Sequence, residues 1–183
     1  IIIDDPYRGL EDLNSEQTQS WIIEQNRFTN SYLDNLAEKK QIKLLLEKIY
    51  NKENQSVPFR RKSKIFTYYN SGTWQESKLF YQENTQNEKK LVIDTNLLSE
   101  DGTVSIGSVS VRPNSERIAY SISDGGSDWK TWKIKHIKSG DILEDTIKWS
   151  KFSNAEWAKD NSGFYYSGYS EPQKGDEYKE LNR

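Results

Sequence analysis

The side chains that could carry out catalysis are few and scattered in this 183-residue sequence, which contains one histidine and no cysteine. A nucleophilic triad needs a serine or cysteine, a histidine base and an acid that orients it. The histidine, His136, shares one face of a predicted strand with Trp132 and Ile134, a setting typical of a packed, hydrogen-bonded residue. No Gly-x-Ser-x-Gly elbow is present, so we predict no catalytic residue in this chain.

The sequence gives little support for a metal site or a nucleotide site. Asp124 and Asp128 flank a glycine pair that could suggest a calcium loop, but the EF-hand spacing and its terminal glutamate are missing. A polar loop with aspartate hydrogen bonds is favoured instead. Neither a Walker loop nor a Gly-x-Gly-x-x-Gly motif occurs, and we predict no metal and no cofactor.

Charge and hydropathy exclude further classes of partner. The 26 basic and 28 acidic side chains give a net charge of −2, so no electrostatic footprint for nucleic acid is present. Aromatic residues make up 13% of the chain, but stacking on single-stranded nucleic acid also needs a basic groove. No segment approaches the roughly 18 apolar residues of a membrane span. We therefore expect neither a nucleic-acid nor a membrane partner.

Two helices are predicted in the first third of the chain. Apolar and aromatic residues at spacings of three and four indicate a helix over Ser15 to Leu36, with Asn14 as its N-cap and Gln17 as the capping-box partner. The same periodicity indicates a second helix from about Lys39 to Tyr50. The short joint between them predicts a helical hairpin in which each helix needs a surface to cover.

After Val57 the hydrophobic period changes to two, which indicates strands separated by turns. Short strands at this density favour antiparallel sheet. The predicted strands are Ile65 to Tyr69, Lys78 to Gln82, Lys90 to Asp94, Val104 to Val111, Arg117 to Ser123, Trp129 to Ile137, Lys148 to Phe152, Ala155 to Trp157 and Gly163 to Tyr169.

A repeat runs through this region, in which three residues are separated by seven and then two positions. Its copies begin 52 and then 46 residues apart and consist of Phe59, Phe66 and Tyr68, then Val111, Ile118 and Tyr120, then Trp157, Phe164 and Tyr166. Periods of roughly 40 to 50 residues with four strands in each unit are typical of a β-propeller. Each blade of such a fold has two apolar faces that its neighbours must cover.

The chain is too short to close a propeller ring. It has room for two to three blades, whereas rings contain typically four to eight, and the polar stretch from Glu171 to Arg183 adds no strand. Methionine is absent, so we expect a trimmed product or a piece of a longer protein. The predicted domains are a helical extension over residues 1–54 and an incomplete β-propeller over residues 55–183.

Seven segments resemble, in order, the sequence of one known family. They are DPYRGLEDLNSEQTQSWIIEQN from Asp5 to Asn26, VPFRR from Val57 to Arg61, YYNSG from Tyr68 to Gly72, LLSEDGTV from Leu97 to Val104, GSDW from Gly126 to Trp129, KFS from Lys151 to Ser153 and DNSGFYYSGY from Asp160 to Tyr169. This series resembles the N-terminal part of the prolyl oligopeptidases, whose signature usually reads D-P-Y-R-W-L-E-D.

The resemblance implies a fold, an activity and partners. Such enzymes join a seven-bladed propeller to an α/β-hydrolase domain, on which the N-terminal helices pack and whose C-terminal part carries the Ser, Asp and His. The whole protein would resemble a cytoplasmic serine endopeptidase that cleaves short proline-containing peptides after proline, with the propeller limiting substrate size. If a signal peptide has been removed, a periplasmic location is the alternative. This chain by itself would be inactive.

Two positions acquire a specific meaning from the resemblance. Phe164 matches a family aromatic that reaches the substrate cavity from the propeller, although the repeat aligns it with Ile118 and Phe66 and thus equally with a core role. Gly9 stands where the family has tryptophan. The hypothesis is that docking of the N-terminal arm is weakened, or that Trp21 or another aromatic fills the site.

A second function stays open at this point. The chain could be a non-catalytic propeller module, from a split or degenerate gene, that binds a partner or peptide. The two readings differ in whether a Gly-x-Ser-x-Gly elbow, an Asp and a His follow downstream in the parent protein. In either case we expect the isolated chain to expose sheet edges and an apolar face that promote association.

Overall fold

The computed structural model describes residues 4–171. Contacts divide the chain into two compact units, one ending at Asn51 and the other beginning at Lys52. Asn54, which the sequence prediction places in the helical part, already pairs with Asn70 in a sheet. Most of the C-terminal segment that was predicted to add no strand lies outside the described residues.

The first unit contains a short 3₁₀ turn, Arg8–Glu11, and two helices, α1 (Glu16–Asp34) and α2 (Glu38–Tyr50). Ser15, rather than the predicted Asn14, is the N-cap of α1. Its backbone is extended, and its Oγ accepts a hydrogen bond of 3.2 Å from the backbone N–H of Thr18. The predicted N-cap was therefore wrong by one residue, because asparagine and serine are both preferred at that position. The residue three after Ser15 is Thr18, so the predicted pairing of the N-cap with Gln17 was also wrong.

The apolar residues of both helices are exposed. Thr18 is the buried residue of α1, and α2 has none. The exposed large apolar side chains of α1 and α2 are Trp21, Ile23, Phe28, Tyr32, Leu33, Ile42, Leu44, Leu45, Leu46, Ile49 and Tyr50. Since a surface helix buries one apolar face in a stable fold, these helices present surface that their own unit leaves uncovered.

The second unit begins with a five-stranded antiparallel sheet. Its strands are β1 (Asn54–Gln55), β2 (Phe59–Arg61), β3 (Lys64–Asn70), β4 (Lys78–Gln82) and β5 (Lys90–Ile93). The strands β3, β4 and β5 follow one another, and both β1 and β2 pair with β3. The strands β1 and β2 were not predicted, because two or three residues are too few to show an alternating pattern.

A four-stranded antiparallel meander follows, with its strands paired in chain order. Its strands are β6 (Ser105–Val111), β7 (Arg117–Ser123), β8 (Lys130–His136) and β9 (Ile142–Ser150). A third sheet, as far as the structure describes it, is the hairpin of β10 (Glu156–Trp157) and β11 (Phe164–Tyr165). The predicted strand Lys148 to Phe152 is the end of β9, which begins earlier and stops at Ser150.

The sequence repeat corresponds to one hairpin that occurs in each sheet. The first two members of each copy lie directly opposite each other across the strand pair: Phe59 with Phe66, Val111 with Ile118, and Trp157 with Phe164. The spacing of seven is thus the length of a turn plus its flanking residues. In the second sheet, the third member Tyr120 lies two residues further along the same strand and is buried with Ile118.

Two apolar clusters lie between the three sheets, one on each side of the second sheet. Strand β7 supplies both, since Ile118 and Tyr120 join the first cluster and Ala119 the second. The first contains Phe66, Leu79, Tyr81, Val92, Ile93, Val111, Ile118, Tyr120 and Ile137. The second contains Ala119, Trp132 and Ala155, with Ile147, Trp157 and Phe164 packed against it. The second sheet is therefore covered on both faces, as the repeat predicted.

Hydrogen bonds also join the turns of neighbouring hairpins. The Ser115 hydroxyl donates to the backbone oxygen of Arg61 at 2.6 Å. At the equivalent place in the third hairpin, Asn161 Oδ1 accepts from the backbone N–H of Asn114 at 3.0 Å. Both Ser115 and Asn161 have left-handed backbones, with φ of 60° and 63°. In the second and third hairpins, one polar residue of the turn thus links its sheet to the preceding one.

Candidate functional site

His136 lies at the end of β8 beside a polar cleft of about 770 Å³ between the first two sheets. The serines that line this cleft include Ser115, whose hydroxyl is occupied by its bond to Arg61. Among the described residues, no hydrogen bond joins a serine hydroxyl to the His136 ring. Residues 4–171 therefore show no serine hydrogen-bonded to a histidine base, the pair that a serine hydrolase needs.

Acidic side chains do not assemble into a metal site in the part of the chain that the structure describes, where no group of three or more potential ligands occurs. Asp124 accepts a hydrogen bond of 2.8 Å from the Thr103 hydroxyl. It thus helps to order the loop that precedes β8. No helix among residues 4–171 is both long and apolar enough to cross a bilayer.

Phe164 lies in the second apolar cluster, half-buried between the second and third sheets. Its ring meets that of Trp157 edge-on at a centroid distance of 5.1 Å and that of Trp132 at 6.3 Å. This packing favours the core role that the repeat alignment left open. The role of Phe164 in contacting a substrate stays a prediction.

The loop that leaves β9 has the geometry of a functional surface. Trp149 and Phe152 both adopt left-handed backbones, with φ of 57° and 52°. For a residue other than glycine such a conformation costs about 1 to 3 kcal/mol, and it persists only where the surroundings enforce it. Phe152 is 76% exposed although its neighbours Lys151 and Ser153 are buried. The chain thus holds an aromatic ring outward at an energetic cost.

Hydrogen bonds to neighbouring segments fix this loop, residues 149–154. The Ser150 hydroxyl donates to the backbone oxygen of Ser167 at 2.9 Å and accepts from the indole N–H of Trp132 at 3.1 Å. The Ser153 hydroxyl in turn accepts from the backbone N–H of Ser167 at 2.8 Å. Ser150 and Ser153, one on each side of Phe152, are therefore both tied to Ser167 in the segment that follows β11.

The side chain of Lys151 packs against an aromatic cluster of Trp129, Trp149 and Tyr169. The ammonium nitrogen lies 4.5 Å from the Trp129 ring centre and 5.0 Å from that of Tyr169. Trp129 meets Trp149 and Tyr169 edge-on, at 5.5 and 5.4 Å. The backbone N–H of Tyr169 donates to the Trp149 oxygen at 2.7 Å. Lys151 is 2% exposed, so a charged side chain is buried against this cluster.

The sequence did not reveal this site. Phe152 was placed inside a predicted strand, because a left-handed backbone at an aromatic residue has no sequence signature. The available signal was the conjunction of Trp149, Lys151 and Phe152 at the end of a strand, where three large side chains cannot all be buried on one face.

Electrostatics elsewhere stabilise the sheets. The Lys78 ammonium lies 2.6 Å from an Asp94 carboxylate oxygen. Burial alone would raise the pKa of Asp94, but hydrogen bonds from Lys78 and Asn96 and the Lys78 charge together hold that pKa below its usual value. Burial lowers the pKa of Lys135, whose ammonium donates to the Val92 oxygen at 2.7 Å and so joins β8 to β5.

Comparisons with known proteins agree with these observations. The sequence model of the prolyl oligopeptidase N-terminal beta-propeller domain matches residues 2–183. Prolyl endopeptidases from Elizabethkingia meningoseptica and Elizabethkingia miricola are 36% and 35% identical to the chain over 173 residues. Those residues are 94% of this chain but 24% of each relative. The chain thus spans about a quarter of the length of these curated relatives.

Solved structures show the same fold. A structure from a study of two prolyl endopeptidases and their inter-domain dynamics aligns with a TM-score of 0.86 at 24% identity, covering 94% of this chain and 26% of that one. Prolyl oligopeptidase B of Galerina marginata, bound to a 35mer substrate, aligns with a TM-score of 0.78 at 25% identity, covering 93% and 27%.

Repeated sheets joined by apolar clusters and by their turns define the first blades of a β-propeller. The chain belongs to the prolyl oligopeptidase family, of which it is N-terminal propeller sequence. The predicted fold class and family resemblance are therefore confirmed. The match is to the propeller domain alone, so the catalytic domain is not part of this chain.

Proposed function

We propose that this chain is the N-terminal portion of a serine endopeptidase that hydrolyses short peptides after proline. The observation that carries the proposal is the match of residues 2–183 to the propeller domain of prolyl oligopeptidases. The described residues contain no pair of nucleophile and base, which is consistent with chemistry carried out by a separate domain. The chain alone is inactive in this proposal.

In this proposal the propeller restricts substrate size. The first strands of the three hairpins, β2, β6 and β10, line a shared polar cleft of about 330 Å³. Across this cleft the Ser108 hydroxyl donates to Asn154 Oδ1 at 3.0 Å. Sheets that are fixed to each other by apolar clusters and turn contacts resist separation, so they form a wall that large substrates do not pass.

The helices α1 and α2 pack, in this proposal, on the α/β-hydrolase domain of the same protein. Support comes from their uncovered apolar faces and from an apolar groove of about 480 Å³ lined by Leu33, Leu36, Ile42 and Leu46. Exposed apolar surface of this extent marks an interaction site. A domain continuous with the same chain is the occupant that is present at the highest effective concentration.

In this proposal two phenylalanines face the peptide substrate, and a different observation supports each of them. Phe164 rests on the family resemblance alone and is packed in a core cluster. Phe152 rests on its geometry, an exposed ring held outward by a left-handed backbone. An exposed aromatic ring offers a large contact area to an apolar or proline side chain. Replacing each by alanine in the longer protein separates the two assignments.

The location proposed is the cytoplasm, with the periplasm as the alternative if a signal peptide has been removed. Detection of the protein in a fractionated native cell extract tests this proposal. Recovery with periplasmic markers would replace the cytoplasmic assignment.

Cleavage of a Gly-Pro fluorogenic substrate tests the proposed activity. We expect the longer protein to release the fluorophore and this chain to release none. The matched control replaces, by alanine, the serine of a downstream Gly-x-Ser-x-Gly elbow. An inactive longer protein, or a downstream sequence without that elbow, would favour the alternative of a non-catalytic interaction module. Activity of this chain alone would contradict the proposal.

A further inference from the structure

We propose that Lys151 is a positioning residue for the substrate surface that Phe152 presents. The ammonium group anchored in the aromatic cluster of Trp129, Trp149 and Tyr169 fixes the backbone from which the Phe152 ring projects. This inference rests on the proposed function, because a positioning role needs a substrate to be measured. It concerns how the surface is held rather than the chemistry of cleavage.

The adjacent residues Lys151 and Phe152 differ sharply in exposure. Lys151 is 2% exposed and Phe152 is 76% exposed, which reverses the usual preference of lysine for water and of phenylalanine for the core. Relaxation toward the usual arrangement would turn the phenylalanine inward and the lysine outward. The reversed arrangement is therefore maintained by specific contacts of the lysine.

The contacts of Lys151 include two aromatic rings. The Lys151 ammonium lies over the faces of Trp129 and Tyr169, 4.5 and 5.0 Å from their centres. Attraction between a cation and an aromatic face is strongest where water is excluded, as it is around this buried side chain. A neutral side chain of equal length would fill the same space without that attraction.

The aromatic residues of the cluster come from both the second and the third sheet regions. Trp129 precedes β8, Trp149 lies in β9, and Tyr169 follows β11, so the cluster joins the second sheet to the third. Lys151 lies in the connection between these sheets. Its anchor therefore sets the direction of the loop at a place where the backbones of Trp149 and Phe152 are both left-handed.

The consequence is a defect in binding, not in chemistry, when the anchor is removed. The Phe152 ring would remain in the chain but would sample several directions. A substrate long enough to reach it would lose a preorganised contact, whereas a minimal substrate would lose nothing. The expected signature is a rise in KM that depends on peptide length, with kcat retained.

The test uses the longer protein and two fluorogenic substrates with the same Gly-Pro site, one minimal and one extended by apolar residues on its N-terminal side. We expect Lys151→Met to raise KM for the extended substrate about tenfold, equivalent to about 1.4 kcal/mol. Phe152→Ala should give the same rise, and the double variant should give no further rise. Lys151→Arg keeps a cation at this position and should retain most of the affinity for the extended substrate.

Two further variants separate positioning from loss of folding. Tyr169→Leu removes one wall of the cluster at a half-buried position and should reproduce part of the KM effect. Lys148→Met changes an exposed lysine of β9 and should leave both substrates unaffected. Melting temperatures of all variants identify any that fail to fold.

The outcomes distinguish the two proposals. If the unmodified longer protein cleaves neither substrate, the proposed function fails. If it cleaves both, but Lys151→Met and Phe152→Ala add independently or affect the two substrates equally, the positioning role of Lys151 is wrong. The positioning role is supported if KM rises only for the extended substrate in Lys151→Met and Phe152→Ala, if the double variant shows no further rise, and if Lys151→Arg shows little rise.

Discussion

The indole N–H of Trp157 donates a hydrogen bond of 2.9 Å to the backbone oxygen of Ser110, which joins β10 of the third sheet to β6 of the second. Trp157 also packs edge-on against Phe164, its partner across the hairpin. One side chain therefore donates to a backbone oxygen of the neighbouring sheet and also packs against a ring of its own sheet. This double role makes Trp157 the most informative residue for testing how the sheets are held together.

We expect Trp157→Phe to lower the free energy of unfolding by about 1 to 3 kcal/mol, because the Ser110 oxygen loses its donor in a partly buried place. Urea unfolding monitored by circular dichroism measures the change. The control is Tyr165→Phe, which alters a ring that is 75% exposed and should change little. Equal effects from both substitutions would show that the hydrogen bond contributes nothing.

Stability at low pH should depend on Asp94. Its pKa is lowered in the folded state, so the stabilisation is present above the usual carboxyl pKa of 3.8 and is lost as the pH falls through the lower folded value. We expect Asp94→Asn to be less stable at neutral pH and to lose less stability on acidification. Unfolding curves between neutral pH and pH about 2 measure this difference.

The matched control for Asp94 is Asp145→Asn, which changes an exposed carboxylate of β9. Its acid dependence should match that of the unmodified chain. Identical acid dependence in all three proteins would mean that the pair of Lys78 and Asp94 does not shift stability with pH.

The isolated chain should self-associate through its uncovered helix faces. We expect Leu36→Lys, Ile42→Lys and Leu46→Lys together to reduce association, since they place charges in the apolar groove. Sedimentation velocity over a range of concentrations measures it. Gln41→Lys adds a charge outside the groove and serves as the control. A chain that is monomeric before any substitution would contradict this prediction.

Gly9→Trp tests the departure from the family signature. No atom lies within 4 Å of a β-carbon placed at Gly9, so the described chain has space for a larger side chain. Trp21 is 47% exposed and does not fill that space. We expect the melting temperature of the longer protein to rise, with a buried tryptophan contributing up to about 3 to 5 kcal/mol.

The gain from Gly9→Trp should be absent in the isolated chain, where no further domain covers the new ring. Gly9→Ala is the control and should produce no gain in either protein. If the longer protein with Gly9→Trp melts at the unmodified temperature, the hypothesis of a weakened N-terminal arm is wrong.

Much of the fold was predictable because its signals are periodic. Strands β4 and β7 were predicted with their observed bounds, since each is a short run with β-branched or aromatic residues that polar turn residues flank. The repeat predicted a polar turn between its first two members, and in the structure those members face each other across each hairpin, as in Phe59 and Phe66, which stack at 5.2 Å. Such features depend on local spacing, which a single sequence displays directly.

The candidate site was not predictable by the same means. Whether Phe152 or Phe164 faces outward depends on the backbone conformation at Phe152 and on the distant partners of Lys151. Contacts between Lys151 and Trp129 join residues from different strands, and no period connects them. Resemblance to a family selected Phe164, while the structure draws attention to Phe152.

The turn contacts of Ser115 and Asn161 have a consequence for how such arrays evolve. Each side chain bonds to a main-chain atom of the preceding turn, the oxygen of Arg61 in one case and the N–H of Asn114 in the other. Every residue type offers that oxygen, and all but proline offer that N–H. A sheet with a short polar residue at this place is therefore interchangeable with its neighbours, so a duplicated copy would dock beside its parent before its own sequence had diverged.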